Sequence, residues 1–369
     1  MSRWARALTE AEFDAPLDLA RYVGQRAATY RFDLVDTKTG VRRPVHPLRG
    51  SPPTLAHDTS STITRQLSNF TLGAAESSLI NVVTGRIEPF MVQGGREFPL
   101  GRYMFNAESR LITSGGTTSN APLYDEMFLV DQPISESFAH RGQINLGVAG
   151  APGRIQFGLK RLLEGLPITF EIAFTPYLSD GGWGPGTNRG QIIEDSAIDG
   201  AYFSPWFDNN GVLKFIRVFD PTSAPLIFDY DTNNVVIAGS IRETDDLINA
   251  PNRFIVISNG AGAIENEIRG SYDIPSSAPH SIENRGFVIP HVETRQVGSP
   301  EQAKAVARNI GQRSTVFETV ELSTPPDPRH DSYDVVQFRG SRWLELAWSL
   351  TLTEGSAMRH VLRRAYPET

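Results

Sequence analysis

The sequence contains no cysteine among its 369 residues. This absence excludes disulfide frameworks, thiolate metal sites, iron–sulfur clusters and cysteine nucleophiles, and it suits assembly in a reducing cytoplasm. An uninterrupted apolar run of about 18 residues is also missing, and the first residues carry no apolar stretch of signal-peptide length. We therefore expect no stable membrane insertion and no signal-directed export.

Lysine is scarce as well, and acidic residues outnumber basic ones by 42 to 35. Only four of the 35 basic residues are lysines, and the formal net charge is −7 with a pI near 5.6. A chain without a basic field does not hold nucleic acid by neutralising phosphates, so a DNA-coating role is excluded. Otherwise the composition, 40% hydrophobic and 21% charged, is that of a soluble globular protein with roughly two or three domains.

Short strands dominate the first 140 positions. Residues 30–35 alternate in polarity, a turn follows at 36–40, and residues 41–45 complete a predicted β-hairpin. Further strands are predicted at residues 63–72, 81–92, 100–105 and 123–130. Strands of this length, divided by turns rich in Gly, Ser and Thr, indicate a small antiparallel barrel or sandwich.

The pattern changes after Gly150. Ile155, Leu159 and Leu162 have helical spacing and predict a short amphipathic helix that Gly165 ends. The next predicted elements are a strand at 168–174, a glycine-rich loop at 181–190, a hairpin of strands 211–219 and 225–230, and a buried strand at 253–258.

The clearest helix begins after Ser299. Ser299 is the predicted N-cap, Pro300 takes the first helical position, Gln302 completes a capping box, and Gly311 is predicted to end the helix. Four consecutive strands are then predicted at residues 314–322, 334–338, 343–352 and 358–364. β-rich segments therefore bracket an α/β insert, and the bracket can close into a second barrel.

These patterns predict a mainly β (α+β) fold with two small antiparallel β-barrel domains and an α/β insert. The predicted N-terminal barrel comprises residues 1–140. The middle α/β domain comprises residues 141–203 and 241–315, and the second barrel comprises residues 204–240 and 316–369.

Catalytic and metal-binding motifs are missing. The histidines form no His-x-x-x-His pair, so no first-row metal site is predicted. Solvated loop positions are expected for His46, His57, His140, His280, His291, His330 and His360. The segment from Asp229 to Asn233 imitates the start of a calcium loop, but Asn234 replaces the required Gly and Ser240 the terminal Glu. We predict a polar turn there.

The carboxylates and tryptophans give no catalytic constellation either. Adjacent carboxylates on a strand point to opposite faces and cannot flank one glycosidic bond; such pairs are Asp125 with Glu126, Glu194 with Asp195, and Asp245 with Asp246. No Gly-x-Ser-x-Gly elbow and no phosphate loop is present. We predict no enzyme activity and no catalytic, cofactor-binding or metal-binding residue.

Two tryptophans lie within one predicted strand. Trp343 and Trp348 are five residues apart, which places them on opposite faces of a regular strand. One or both are predicted to be core or interface anchors.

Several segments in a fixed order resemble one protein family. They are Ser-Pro-Trp-Phe-Asp-Asn-Asn-Gly-Val at 204–212, Asn-Ala-Pro-Asn-Arg followed by a hydrophobic strand at 249–258, Tyr-Asp-Ile-Pro-Ser at 272–276 with Ser-Ile-Glu-Asn-Arg-Gly at 281–286, the capped Ala-rich helix from Ser299, and residues 316–324. In these segments the chain resembles the tail hub, or baseplate hub, proteins of long non-contractile-tailed actinobacterial phages, also called minor tail proteins. Residues 61–67 and 85–90 fit that family more loosely.

The resemblance implies a structural protein with a baseplate-hub-like fold of two tube domains. It implies a homotrimer at the distal end of the tail tube, assembled in the bacterial cytoplasm and located in the virion. Three subunits with two barrels each would form a pseudo-sixfold ring that adapts a sixfold tail to a threefold tip. The implied partners are the distal tail protein, the tape measure protein and tail tip or receptor-binding proteins. Genome DNA would pass through an acidic lumen without specific binding, and no cofactor is implied.

A second hypothesis remains open from the residues alone. Trp183 and Trp206, with scattered carboxylates, would form the sugar site of a tail-associated carbohydrate-binding or cell-wall-degrading protein. Separately, Trp4, Leu8, Phe13 and Leu17 would form either an arm that docks on a neighbour or a disordered lead.

Overall fold

The computed structural model describes residues 28–367 except 49, 51, 62, 107–108, 114–115, 121, 141–152, 180, 234, 238, 246, 259–266 and 315–317. Over these residues the chain is mainly β, which confirms the predicted class. No helix in the described part is long and apolar enough to cross a membrane. The predicted N-terminal arm lies outside the described residues.

The strands vary from two to eleven residues. In chain order they are β1 Thr29–Asp36, β2 Arg42–Val45, β3 Thr54–Asp58, β4 Arg65–Ser68, β5 Thr71–Leu72, β6 Gly85–Gln93, β7 Arg96–Pro99, β8 Tyr103–Phe105, β9 Ser109–Thr113, β10 Gly116–Asn120, β11 Leu123–Tyr124, β12 Phe138–Ala139, β13 Gly153–Arg154, β14 Thr169–Ile172, β15 Leu178–Ser179, β16 Gly182–Trp183, β17 Trp206–Phe207, β18 Val212–Phe215, β19 Phe228–Asp229, β20 Arg242–Asp245, β21 Arg253–Ser258, β22 Ile268–Asp273, β23 Pro290–Thr294, β24 Glu318–Thr324, β25 Val335–Phe338, β26 Ser341–Thr351 and β27 Met358–Arg364.

The described helices are mostly short. They are α1 Ala74–Ser77, α2 Met127–Val130, α3 Ile155–Leu163, α4 Arg189–Asp199, α5 Tyr230–Asn233, α6 Ile282–Arg285 and α7 Pro300–Ser314. Helix α3 is the amphipathic helix predicted from the leucine spacing, with Ile155, Leu159 and Leu163 fully buried.

One sheet of fourteen strands forms the frame of the protein. Its order is β2-β1-β6-β8-β11-β4-β3-β26-β27-β24-β20, with β7 on β6 and with β25 on β26 and β19. Strand β3 pairs antiparallel with β26, where Leu55 lies opposite Leu350. This pairing joins the N-terminal strands to the C-terminal strands. The prediction of two closed barrels is therefore wrong: their strands form the two halves of one sheet, which does not close on itself among the described residues.

The predicted N-terminal hairpin is confirmed. Strands β1 and β2 pair antiparallel, and the Asp36 carboxylate accepts hydrogen bonds from the backbone N–H groups of Lys38 and Thr39. Gly40 completes the turn at φ +71°, a left-handed conformation that suits glycine. The alternation in β1 directs Phe32 and Leu34 into the core.

Three other predictions fail for reasons of tertiary structure. Residues 123–130 form a strand only at Leu123–Tyr124, because Asp125 caps the following turn through a 3.0 Å hydrogen bond from the N–H of Met127, where α2 begins. Strands β18 and β19 do not form a hairpin, since β18 pairs with β14 and β17 while β19 pairs with β25.

The glycine-rich loop is the third. Its start, Gly182–Trp183, is strand β16, and helix α4 begins at Arg189, inside the predicted loop.

The capped helix after Ser299 is confirmed at its start and longer than predicted. The Ser299 hydroxyl accepts from the N–H of Gln302 at 3.1 Å, and the Gln302 side chain accepts from the N–H of Gly298 at 3.0 Å. Gly311 does not end the helix, which continues to Ser314. A Cβ at Gly311 would lie 2.7 Å from the Tyr272 ring, so this glycine allows close packing of α7 on β22.

A bulge in β26 decides which residues face the core. The register with β27 shifts between Glu345 and Ala347, so that Glu345 lies opposite Leu362 and Trp348 opposite His360. Paired residues of antiparallel strands share a face, so Trp343, Glu345 and Trp348 all lie on one face. The prediction of opposite faces for the two tryptophans is wrong because the strand is irregular. Both are buried, as predicted for core anchors.

Candidate functional site

The most unusual buried group of the described chain is Glu345, which is fully enclosed in the C-terminal half of the sheet. Its two carboxylate oxygens contact two imidazoles. Oε2 lies 2.6 Å from Nδ1 of His330, and Oε1 lies 2.5 Å from Nδ1 of His360. We call these three residues the polar centre.

The outer nitrogens of the polar centre also have partners. Nε2 of His330 lies 2.9 Å from the Tyr230 hydroxyl, and Nε2 of His360 lies 2.9 Å from the Thr324 hydroxyl. The Tyr230 hydroxyl can donate to Nε2 of His330, which leaves the proton of that ring on Nδ1 for the carboxylate. The Thr324 hydroxyl, which has one proton, lies 2.9 Å from both Nε2 of His360 and the carbonyl oxygen of Pro325. Every ring nitrogen and both carboxylate oxygens are thus satisfied, as buried polar groups require.

Burial and charge shift the pKa values in the polar centre. Burial raises the pKa of Glu345, but the imidazoles that contact it outweigh this effect and lower the pKa to about 2. Burial lowers the pKa of His360 below its usual value. Asp334 nearby has its pKa raised well above the usual range, by burial and then by the charge of Glu345. Glu345 is therefore ionised at neutral pH.

The ligand set of the polar centre resembles a metal site only in composition. His330, Glu345 and His360 offer ligand atoms within 4.8 Å of one another. A metal ion would have to displace both Nδ1 protons and the two short hydrogen bonds. The arrangement fits a closed hydrogen-bond network better than a metal centre.

A second buried network connects three parts of the chain. Arg65 on β4, only 1% exposed, lies 2.7 Å from Asp331 and 2.5 Å from the Asn209 side chain. Asp331 also accepts from the indole N–H of Trp206 at 2.9 Å. These contacts join the N-terminal half of the sheet, the loop after β17 and the segment before β25. A guanidinium with several acceptors holds their relative orientation.

The two tryptophans of the sugar-site hypothesis make their contacts with other side chains of this protein. Trp206 is buried, and its ring packs edge-on to Tyr333. Trp183 donates to Asp195 at 3.2 Å and packs against Phe138 and His140. The two rings belong to different hydrophobic clusters, so they do not form one stacking platform.

The predicted carboxylate pairs have separate partners. Asp125 accepts from Thr64 and from the N–H of Arg65, whereas Glu126 pairs with Arg86. Glu194 and Asp195 likewise bind different arginines, Arg313 and Arg295. For Asp245 and Asp246 no pairing is described, because residue 246 lies outside the described residues.

The predicted polar turn after β19 is confirmed over the described residues. The Asp229 carboxylate accepts from the N–H groups of Asp231 and Thr232, both at 3.0 Å, and so begins α5. Asp231 in turn accepts from the N–H of Gly340 at 2.8 Å. Asn234 lies outside the described residues.

The histidine prediction is wrong for most positions. His57, His140, His280, His330 and His360 are buried rather than solvated. One signal was available: Met358, His360 and Leu362 alternate in β27, which predicts an inward His360. Nothing in the spacing of His330, Glu345 and His360 indicates that the fold brings them together.

Comparison with solved structures shows the fold. The chain is similar to a tail protein from Neisseria meningitidis MC58, with TM-score 0.58 and 12% identity over 91% of this chain and 96% of that one. It is also similar to the 43 kDa tail protein of prophage MuSo2 from Shewanella oneidensis, with TM-score 0.59 and 12% identity over 91% and 98%. A third similar structure is the prophage tail protein gp18 from Listeria monocytogenes EGD-e, with TM-score 0.55 and 10% identity over 90% and 94%.

These structures share the fold of this chain over nearly the whole length of both partners. No protein-family model and no curated protein sequence matches the chain. The predicted hub-like, mainly β fold is therefore confirmed at the level of structure, because the identities are too low to carry more than the fold.

Proposed function

We propose that this protein is a structural, non-enzymatic component of a phage tail that forms a homotrimeric hub ring at the distal end of the tail tube. The observation that supports the proposal most directly is the shared fold with tail proteins over 90% or more of both chains. The narrower source, a phage of actinobacteria with a long non-contractile tail, rests on the sequence resemblance alone.

The sheet supplies the geometric argument for a ring. It contains two halves joined through β3 and β26, so three copies would present six half-sheets around one axis. Each end of the sheet is an edge strand, β2 or β20, that pairs on one side only among the described residues. Such edges are available to a neighbouring copy. With −7 per chain the ring would also be strongly acidic, which lets DNA pass without being held.

In this role the ring would adapt a sixfold tail to a threefold tip and surround the DNA channel. It would contact the distal tail protein above, the tip or receptor-binding proteins below, and the end of the tape measure protein. The proposed division into residues 1–140, 141–203 with 241–315, and 204–240 with 316–369 would supply two ring elements and an outer domain.

The decisive experiment locates the protein in purified virions. Mass spectrometry of the particle and an electron-microscopy reconstruction of the tail end should show three copies in one ring, about three times 40.7 kDa. Absence from the virion, or a ring of another symmetry, would contradict the proposal. A monomer in solution would not, because ring subunits often assemble only with their neighbours.

Ring closure can be tested separately by crosslinking, because the chain has no native cysteine. Arg43→Cys on β2 and Glu243→Cys on β20 place one thiol at each sheet edge. If the edges meet, a short bismaleimide should give covalent trimers in assembled particles. The matched control combines Arg43→Cys with Glu283→Cys on exposed α6, for which no intersubunit product is expected.

A further inference from the structure

Arg363 stands apart from the other buried charges. It lies on β27, only 5% exposed, and faces away from the polar centre. Its guanidinium makes no ion pair and no hydrogen bond with any described residue, whereas its neighbour Arg364 pairs with Glu318. Burial lowers the pKa of Arg363 to about 10, against smaller effects of Tyr333 and Tyr272 that raise it and together with a smaller effect of Arg313 that lowers it, so it still carries its charge at neutral pH.

An isolated buried cation is costly. Removing a guanidinium from water without a counter-charge costs several kcal/mol even after relaxation. Such a group is retained when another charge compensates it or when a ligand does. Among the described residues no carboxylate lies within ion-pair distance of Arg363, so its guanidinium has no direct counter-charge there.

The nearby carboxylates already have partners. Glu194 pairs with Arg313, which also contacts the Ser204 hydroxyl. Asp58 accepts from the N–H and the hydroxyl of Ser60 at 2.8 and 2.7 Å. Glu194 is thus held by Arg313, and Asp58 keeps its negative charge at the cavity wall, but neither carboxylate forms an ion pair with Arg363.

Arg363 lines a cavity of about 630 Å³. The cavity lies between β26 and β27 on one side and α4 with the loop after it on the other. Its polar lining includes Arg313, the carboxylates of Asp58 and Glu194, and the hydroxyl-bearing residues Thr59, Ser60, Ser61, Ser204 and Tyr333. This volume is in the range of about 300–1,000 Å³ that is common for small-molecule sites.

We propose that this cavity binds a small oxyanion on the guanidinium of Arg363, with Arg313 and the surrounding hydroxyls as further donors. Guanidinium groups present parallel N–H donors that match two oxygens of a phosphate or a carboxylate. A bound oxyanion would supply the missing counter-charge. The inference does not depend on the proposed tail function, because it concerns the stability and ligand of the isolated chain.

The test compares thermal unfolding in sodium phosphate with unfolding in sodium chloride of equal ionic strength. For the unmodified protein we expect a saturable rise in Tm of roughly 3–8 °C at phosphate about 100-fold above Kd. A parallel titration with acetate distinguishes a tetrahedral from a carboxylate ligand. Arg363→Met should abolish the rise and, in chloride, leave Tm unchanged or higher, because the uncompensated charge is gone.

The matched control is Arg359→Met, four residues earlier on the same strand, where the side chain is exposed and pairs with Glu321; this variant should retain the full phosphate effect. If Arg363→Met does not fold, calorimetric titration of phosphate into the unmodified protein and into Arg363→Lys replaces it, and we expect weaker binding to the lysine variant. The proposal is overturned if Tm follows ionic strength alone, if calorimetry detects no binding of either anion, or if both methionine variants lose the effect equally.

Discussion

Buried charged groups have different environments on the two faces of strands β26 and β27. On one face Glu345 lies between two imidazoles, and each polar atom of that centre has a partner within the chain. On the other face Arg363 borders a cavity, and the described residues leave its guanidinium without a partner. Two residues that lie on adjacent strands of one sheet thus belong to different kinds of environment.

This difference distinguishes a buried polar network that stabilises the fold from one that can bind a ligand. A network in which every polar atom has a partner rigidifies the core without a ligand. A buried charge that lacks a partner retains a desolvation cost that a bound ligand can offset. Burial alone does not distinguish the two, since Glu345 and Arg363 are both nearly inaccessible to solvent. The distinguishing observation is whether the hydrogen-bond partners are complete.

The largest expected effect comes from shifting the residues that follow the bulge by one position. Deleting Ser349 would move Leu350 out of the apolar core to the opposite face of β26 and put Thr351 in its place. We expect no soluble folded protein, as judged by circular dichroism and size-exclusion chromatography. Ser349→Ala keeps the residue count and should remain folded; equal damage in both variants would show that the one-residue shift is not the cause.

Next in size is the loss of the acceptor in the polar centre. Glu345→Ala leaves two buried imidazole N–H groups without a partner and should lower the free energy of unfolding by about 3–5 kcal/mol. Urea denaturation measures this change. Glu354→Ala in the exposed turn before β27 is the control and should change stability by less than about 0.5 kcal/mol. A small loss at Glu345 would mean that the centre relaxes around water.

A smaller effect is expected from pH, and it arises on the closed face. His360 has a folded-state pKa below the 6.5 of the unfolded chain, so the unfolded state binds more protons as pH falls below 6.5 and stability is lost. Glu345, with a folded pKa of about 2 against 4.5, extends this loss to lower pH. Asp334 acts in the opposite direction, because its pKa is raised.

His360→Gln isolates the first of these contributions. Its stability should fall less steeply than that of the unmodified protein as pH drops from 6.5 towards 5, measured by urea denaturation at each pH. The difference between the two proteins removes the common contribution of Asp334. Parallel pH profiles would contradict the assignment of a buried neutral imidazole.

The smallest effect is expected outside both environments. Arg359 on β27 is exposed and pairs with Glu321 on the neighbouring strand β24. Surface ion pairs contribute little, so Arg359→Ala should change the free energy of unfolding by less than about 1 kcal/mol. A larger change would show that exposed charges on this strand contribute to the free energy of unfolding. Arg359 would then not be a suitable control for the comparison between the two faces.

Local patterns in the sequence predicted many elements correctly. Alternation identified β1 and β27, leucine spacing identified α3, and the Ser299 cap identified the start of α7. Each of these signals involves neighbours within about one or two helical turns or one hairpin, where propensity and capping act directly. The absence of enzyme activity, which rests on the missing catalytic motifs, remains a prediction.

Long-range contacts account for the failures. Gly311 is read locally as a helix end, yet α7 continues to Ser314, and the absent Cβ leaves the space that the Tyr272 ring occupies. Strand β18 pairs in parallel with β14, 43 residues away at Lys214 and Glu171, rather than with its neighbour in sequence. The dispersed histidines become a centre only through the pairing of β26 with β27 and the placement of the loop that carries His330.

The sequence by itself determined the class of the fold, most strand positions, the caps and the acidic, cysteine-free chemistry, because these follow from composition and short-range periodicity. Only the tertiary structure decided that the two β regions form one open sheet, that a bulge turns Trp348 to the core, and that Glu345 is enclosed while Arg363 faces a cavity. The reason is physical: pairing, register and compensation of buried charge depend on residues far apart in the chain, and no local pattern specifies which of them meet.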